Sequence, residues 1–349
     1  MQLLQTCTAM IGYCFDMSVQ VSFILPCYNV ERYVADCLDS IYAQGLREDE
    51  YEVICVNDCS TDGTRSIIEN YARRHSNLFL IDHEENSHGC GIPRNTGISK
   101  AVGEYICFVD ADDMLPPNVM KDICLTAHRD NLDILLFNHI ILSNGIYKEN
   151  SVKYSSTMVY PGGAFVENCL AGNIGRIASA WAKLFKRSFL SLYAIRFTDL
   201  IMAEDSVFSW EAVICASRVK SISETGYIFR ANDSSMTSGG KLMKPEMIFA
   251  ESILYPNKLK TLEVKYRDSI HVSIRKGIVN AIKTEISFFF KKYLNCGEDG
   301  KRALYSIIRR QPSQVWRLNE YLNRKQRIAF LSLFGGYTVF NCIVKAMYL

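Results

Sequence analysis

The sequence predicts an α/β fold in which a mostly parallel sheet is flanked by helices and followed by a helical, basic C-terminal region. Three observations predict it. Short apolar runs alternate with segments of helical periodicity through the first third of the chain. Polar, ligand-competent residues stand directly after three of those runs, where open α/β sheets bind ligands. Charge is also divided along the chain. The 349 residues carry a formal net charge of only +2, yet residues 252–349 hold 18 Lys+Arg against 6 Asp+Glu, and residues 1–251 hold 21 against 31. At 48% hydrophobic and 22% charged residues, the composition excludes a wholly disordered chain, a collagen-like chain and a small disulfide scaffold.

Residues 1–17 form an apolar extension without a basic n-region or a small-residue cleavage site, a poor match to a secretory signal, and Met17 is an alternative start to Met1. Residues 19–25 (VQVSFIL) read as a buried strand ended by Pro26. Over Val30–Gln44, Tyr33, Val34, Cys37, Leu38 and Ile41 share one helical face. Strand Tyr51–Asn57, helix Asp62–Arg74 with its cap signal at Ser60–Asp62, strand Leu78–Asp82, a helix near Pro93–Ala101 and strand Tyr105–Val109 continue the alternation. Such alternation implies parallel strands covered by helices. Beyond lie an expected helix Pro117–Arg129, strand Ile134–Phe137, a turn at Pro161–Gly163, and helices around Phe165–Leu170, Ala178–Leu190 and Asp205–Ala216. From Glu246 onward the pattern is helical. The pattern therefore divides the chain into an α/β region over 18–117, a looser region over 118–245 and a basic helical region over 246–349. Thirteen Cys with no C-x-x-C pair, several inside apolar runs (Cys55, Cys107, Cys215), read as reduced thiols of a cytosolic protein.

The strongest chemical signal is YICFVDADD, an apolar strand running into Asp110, Asp112 and Asp113. Packing like charges is costly unless a cation is shared. Carboxylates are hard oxygen ligands suited to Mg²⁺ or Mn²⁺, ions that bridge protein carboxylates to substrate phosphates. An acidic loop capping the following helix is the other use of such a segment.

VSFILPCYNVERYVADCLDSI, VICVNDCSTDGT and GIPRNTGISKAVGEYICFVDADDMLPP, in this order and spacing, resemble the donor domain of family 2 glycosyltransferases with the GT-A nucleotide-sugar-binding fold. The likeness is close over about 19–117 and weaker to about 240. It implies roles residue by residue. Pro26 and Tyr28 stand at the end of strand one, where Tyr28 resembles the aromatic laid against the donor's base; a half-buried loop tyrosine is the alternative. Asp58 resembles the carboxylate that accepts from the base N3–H, while Ser60 and Asp62 are better placed to cap. Arg94 resembles the arginine over the nucleotide, with Gly89, Gly91 and Gly97 permitting close backbone approach. Asp110 and Asp112 match the family's D-x-D motif, Asp110 toward ribose or the metal's water and Asp112 on the metal that bridges the diphosphate.

On the acceptor side, AEDSVF (203–208) resembles the E-D-x-x-F segment whose Asp, here Asp205, takes the proton of the acceptor hydroxyl, with Glu204 in reserve. An N-cap role is compatible with this. In SAWAKLFKR (179–187), Trp181 serves either to stack on a sugar or to fill the core. Arg230, in Tyr227–Arg230 with Ser234, Ser235 and Thr237 behind it, resembles a residue that closes over the diphosphate. His88 lies in the donor loop, a surface histidine being the alternative. The implied activity is inverting transfer from a nucleotide-diphospho-sugar, foremost a UDP-sugar, to a hydroxyl of a glycan or lipid-linked acceptor, in surface polysaccharide synthesis and with Mn²⁺ or Mg²⁺.

Two other readings are weighed. In haloacid dehalogenase-type phosphatases a D-x-D motif normally opens the chain's first strand and continues D-x-[TV]; here it follows the fourth expected strand and continues Asp-Met-Leu-Pro. A non-catalytic nucleotide-sugar-binding scaffold would tolerate degenerate motifs, and these are intact. No nucleic-acid recognition motif accompanies the basic tail. Paired cations such as Arg275-Lys276, Arg309-Arg310 and Arg324-Lys325 suit an anionic membrane instead. The apolar stretch 328–349 is interrupted by Gly335-Gly336, Asn341 and Lys345, which favours an interfacial segment on the cytoplasmic face over a span; packing on the catalytic domain is the alternative.

Overall fold

The computed structural model describes residues 19–149, 158–169, 177–231 and 243–348; the extension 1–17 and Ser234, Ser235 and Thr237 lie outside the described residues. Its first half follows the expected alternation: β1 (Val21–Cys27), α1 (Val34–Tyr42), β2 (Tyr51–Asn57), α2 (Thr64–Ala72), β3 (Leu78–Asp82), α3 (Gly91–Lys100) and β4 (Tyr105–Phe108). Every residue of β1, β2 and β4 is buried, as continuous apolar runs in a sheet covered on both faces require. These strands are parallel in the order β3-β2-β1-β4. β1 runs through Pro26 rather than stopping there. Its last β4 partner is Ile24, paired with Phe108, so the proline lies beyond that ladder and withholds no bond from it.

The second half contains α4 (Met120–Arg129), β5 (Ile134–Ser143), β6 (Ile146–Glu149), α5 (Gly162–Cys169), β7 (Lys183–Lys186), α6 (Arg187–Leu192), α7 (Glu204–Cys215) and β8 (Val219–Arg230). Among the described residues the strands form one eight-stranded sheet, β3-β2-β1-β4-β7-β5-β6, with β8 paired to β5. β7 is antiparallel to both neighbours, so the sheet is parallel over β3-β2-β1-β4 and mixed from β7 onward. The helix expected over Ala178–Leu190 is thus a strand followed by a short helix. Lys183–Phe185 is buried between β4 and β5, and a strand covered on both faces has no alternation by which to recognise it. β8 was hidden by Gly226 and the polar run before it. Gly226 is required because a Cβ there would overlap the Phe137 ring of β5.

The C-terminal region is helical as expected: α8 (Pro245–Phe249) passes through a π-helical turn at Ala250–Leu254 into α9 (Tyr255–Lys265), followed by α10 (Val272–Asn295), α11 (Glu298–Arg310), α12 (Pro312–Trp316), α13 (Arg324–Leu331) and α14 (Tyr337–Tyr348). Ile274, Ile278, Ile282, Ile286 and Phe289 form the buried stripe of α10. One face of the sheet (Ile24, Ile54, Phe108) joins Phe208 of α7 and this stripe in a core that reaches Val344; the other face buries Leu38, Ile68 and Ile123. The apolar stretch 328–349 is divided by a 3₁₀ turn at Ser332–Gly335 and by Gly336 at φ +94°. Phe340 and Val344 are buried, and Tyr348 stacks on Phe290 at 4.5 Å. Among the described residues no helix is long and apolar enough to cross a membrane.

Candidate active site

β1, β2 and β4 end at one edge of the sheet and deliver Tyr28, Asp58 and the Asp110–Asp113 loop there. The first two loops are laced together. Asn29 N–H donates to Ser60 Oγ (3.1 Å), Thr61 N–H to Asn29 Oδ1 (2.8 Å) and Gly63 N–H to Glu31 Oε2 (2.7 Å). Asn29 and Cys59 take left-handed conformations there, at φ +52° and +63°. Tyr28 is half exposed, so its ring is free to meet a flat ligand.

Asp58 is buried and engaged by the protein itself. Its Oδ1 lies 2.7 Å from His83 Nδ1, and its Oδ2 accepts from Ser87 N–H (3.0 Å) and Oγ (2.8 Å). The other ring nitrogen of His83 is 3.0 Å from Thr96 Oγ1. Asp58 therefore fixes the loop after β3 as well as ending β2. Sequence reasoning missed His83, although it directly follows a strand. His88, the histidine it singled out, is exposed at φ +59°.

The centre of the site is Arg94, 2% exposed. Its Nη2 donates to Asp110 Oδ1 (2.7 Å), and its Nη1 to Glu204 Oε1 (3.1 Å) and to Asp205 Oδ1, so one guanidinium ties the strand-end carboxylate to the Glu204–Asp205 pair of α7. The glycines expected to approach a nucleotide instead admit protein. A Cβ on Gly91 would overlap the Thr198 carbonyl, and one on Gly97 would overlap Ile24 of β1. These contacts seat α3 and aim Arg94. On the other side, Ala203 at φ +63° turns the chain into α7, placing Glu204 and Asp205 in its first turn beside the helix's positive end. No side chain caps that helix, so Asp205 is a first-turn acid and not an N-cap.

Burial, reinforced by the charge of Asp205, pushes the Glu204 carboxyl up to about 7. Burial also raises Asp205, opposed by Arg94. Arg94 stays charged because Asp205, Asp110 and Glu204 outweigh its own burial.

Asp113, the third acid of the strand end, has a structural task. Tyr227 Oη donates to its Oδ2 (2.7 Å), Arg230 N–H donates to its Oδ1 (2.7 Å), and Asp110 N–H donates to Tyr227 Oη (3.1 Å). Burial raises its carboxyl well above the usual range, with Asp110 and Asp112 adding to it. The end of β8 is thereby strapped over the acidic loop. The Arg230 guanidinium donates twice to Asp36 Oδ2 of α1 (3.0 Å each) and lies over the Tyr33 ring. Trp181 stacks on Tyr227 at 4.9 Å and on Phe229 at 5.9 Å while staying partly exposed. It serves packing on one face whether or not a sugar meets the other.

Among the described residues no three His, Cys, Asp or Glu are grouped to hold a metal unaided. The charge balance nevertheless suits a divalent cation. Asp110 and Asp112 act on Asp113, Asp110 acts also on Glu204 and Asp205, and Arg94 and Lys183 oppose that at Asp205, so negative charge is gathered here. An ion held by one or two carboxylates, with diphosphate oxygens completing its shell, fits that excess of negative charge.

Residues 22–191 match the model of glycosyl transferase family 2. The chain is 34% identical over 282 residues to the uncharacterized glycosyltransferase EpsJ of Bacillus subtilis, covering 78% of this chain and 75% of that one. It is 30% identical over 248 residues to the poly(ribitol-phosphate) β-glucosyltransferase of Bacillus spizizenii, covering 70% of this chain and 38% of that protein, so this chain spans well under half the length of that relative. In fold it is similar to the crystal structure of S. aureus TarS 1–349 in complex with UDP-GlcNAc, with a TM-score of 0.67 and 22% identity over 94% of this chain and 91% of the other.

Proposed function

The chain belongs to glycosyl transferase family 2 and is a glycosyltransferase, and we propose that it moves a sugar, with inversion, from a UDP-sugar to a hydroxyl of a surface glycan or lipid-linked acceptor. The observation that carries this reading is the single guanidinium of Arg94 joining Asp110 to Glu204 and Asp205. It brings the D-x-D strand end and the E-D helix start into one site. The UDP-GlcNAc complex of the structural neighbour and the poly(ribitol-phosphate) relative support a UDP-sugar and a surface-polymer acceptor.

In the proposed reaction Tyr28 carries the base, Pro26 and Asp58 shape the pocket beneath it, and Arg230 faces the diphosphate side. Asp112, with Asp110, would hold the divalent cation, which would supply Lewis-acid stabilisation to the leaving diphosphate. Asp205 accepts the proton of the attacking hydroxyl as the bond to the anomeric carbon forms opposite the departing nucleotide. Arg94 holds Asp205 Oδ1 and Asp110 Oδ1 in fixed relation, so donor and base keep the alignment that single displacement needs. Glu204, whose carboxyl burial pushes up to about 7, is the reserve candidate for the base.

Peripheral contact with an anionic membrane, on the cytoplasmic face, belongs to the same proposal. Ile328, Leu331 and Phe334 are exposed beside the exposed Arg324, Lys325 and Arg327, and Trp316 stacks on Phe334. Apolar side chains ringed by cations suit a lipid surface. A panel of nucleotide sugars screened for Mn²⁺-dependent thermal stabilisation tests the donor assignment, because a ligand that binds only the folded state raises its apparent stability. Stabilisation by UDP-sugars is the expected result, and stabilisation by none of the panel would reject it.

A further inference from the structure

Lys183 opens β7 and is 3% exposed, in a position where a lysine is rarely tolerated without a task. Its side chain turns back four residues. The ammonium donates to the Ser179 carbonyl and lies 3.2 Å from Ser179 Oγ. Ser209 Oγ, from α7, donates to the same carbonyl at 3.0 Å. The other end of that peptide unit is Ala180 N–H, which donates to Asp205 Oδ2 at 3.1 Å. Two donors therefore hold the oxygen of one peptide group while its N–H holds the carboxylate. Because a peptide group is planar, fixing its oxygen fixes the direction of its N–H, and donors on the oxygen strengthen the bond made by the nitrogen. The turn that carries this peptide is otherwise unfavourable, since Ala182 within it takes φ +56°.

We infer that Lys183 is a positioning residue for the proton-accepting step: through the Ser179–Ala180 peptide it orients and polarises the bond that fixes Asp205 Oδ2, complementing the hold of Arg94 on Oδ1. The inference rests on the assignment of Asp205 as the base. Asp205 then faces Arg94 from α3, Asp110 after β4, its neighbour Glu204 on α7 and Lys183 from β7, and against the upward push of burial and Asp110 stand Arg94, the Ala180 N–H and Lys183. Burial pulls the Lys183 amine down to about 7, with Asp205 acting against that shift. The geometry holds for either protonation state, since a neutral amine still has two N–H groups for the two Ser179 oxygens.

The test compares Lys183→Met, which keeps the length and burial of the side chain, with Ser209→Ala, which removes only the second donor to the carbonyl. In the full chain, turnover and donor KM are measured with the UDP-sugar that the wild type uses, alongside thermal stabilisation by UDP with Mn²⁺. The expected result is a fall in kcat of at least tenfold for Lys183→Met and of a few-fold for Ser209→Ala, with donor KM within twofold and UDP stabilisation unchanged. A folded Lys183→Met protein with kcat within twofold of wild type overturns the inference, as does a fall in kcat matched by an equal loss of donor affinity. Should Lys183→Met fail to fold, Ser209→Ala decides: lowered kcat at constant KM supports the inference and unchanged kcat overturns it. Normal turnover by Asp205→Asn is a separate outcome, removing the assignment of the base itself.

Discussion

Replacing Arg94 by Met removes the one cation that Asp110, Glu204 and Asp205 share. The arginine side chain is 3% exposed and those of the carboxylates 27%, 11% and 20%, so solvent cannot take over its role. Breaking a buried pair leaves an uncompensated charge, at about 3–5 kcal/mol. Here three acids lose their partner while Lys183 remains near Asp205 alone, which puts the loss at the upper part of that range near pH 7.5. The loss also has a pH signature. Without Arg94 the carboxyls of Glu204 and Asp205, already raised by burial, bind protons more readily in the folded state, and protonation relieves the repulsion. The destabilisation therefore shrinks by at least about 1.4 kcal/mol, one pKa unit, between pH 7.5 and pH 5.5. Equilibrium urea unfolding of both proteins at the two pH values, without nucleotide or metal, measures it. A loss below about 1 kcal/mol at pH 7.5, or one equal at both pH values, would refute the view that Arg94 neutralises the cluster.

Other outcomes follow from the same site. Asp112→Ala keeps the fold and loses both transfer and the Mn²⁺-dependent stabilisation by UDP, read by thermal melting and UDP release; a folded variant with full activity contradicts the cation assignment. Glu204 is raised in the folded state from 4.5 to about 7, so its contribution to stability is present below pH 4.5 and is lost as pH rises toward 7. Glu204→Gln removes that slope, worth about 3 kcal/mol at most, and parallel slopes for variant and wild type would contradict the burial argument. The full chain co-sediments with anionic vesicles in a salt-sensitive manner, and Leu331→Glu with Phe334→Glu abolishes this; binding unchanged by those substitutions would move the contact elsewhere.

The parallel half of the fold was legible because its strands are short, wholly buried apolar runs separated by helices of clear period, as in Val21–Cys27, Val34–Tyr42 and Tyr51–Asn57. The mixed half, from β5 to β8, was less so. Lys183–Lys186 is a strand only because β4 and β5 enclose it, a fact of tertiary packing, and Val219–Arg230 contains a glycine whose reason is the Phe137 ring opposite. In the candidate site, the rule that ligands gather after strand ends pointed to Tyr28, Asp58 and the Asp110–Asp113 loop, which the fold brings to one edge of the sheet. It could not foresee that Asp113 is consumed by Tyr227 and the Arg230 amide. Nor could it foresee that Asp58 is held by His83 and Ser87. These are contacts between residues 25 to 117 positions apart, and no local pattern encodes them. Lys183 was equally hidden, since a lysine beside Leu184 and Phe185 reads as the polar edge of a helix until the strand buries it.

The most direct measurement of the central claim is metal-dependent UDP release from a panel of UDP-sugars, offered with a polyol-phosphate or glycan acceptor, by the wild type and by Asp205→Asn. The wild type is expected to release UDP from at least one donor. Asp205→Asn should lose most of that turnover while remaining stabilised by UDP with Mn²⁺ as strongly as the wild type, because a base acts in the transition state and contributes little to donor binding. Equal UDP release by both proteins, or loss of UDP stabilisation together with turnover in Asp205→Asn, would contradict the account.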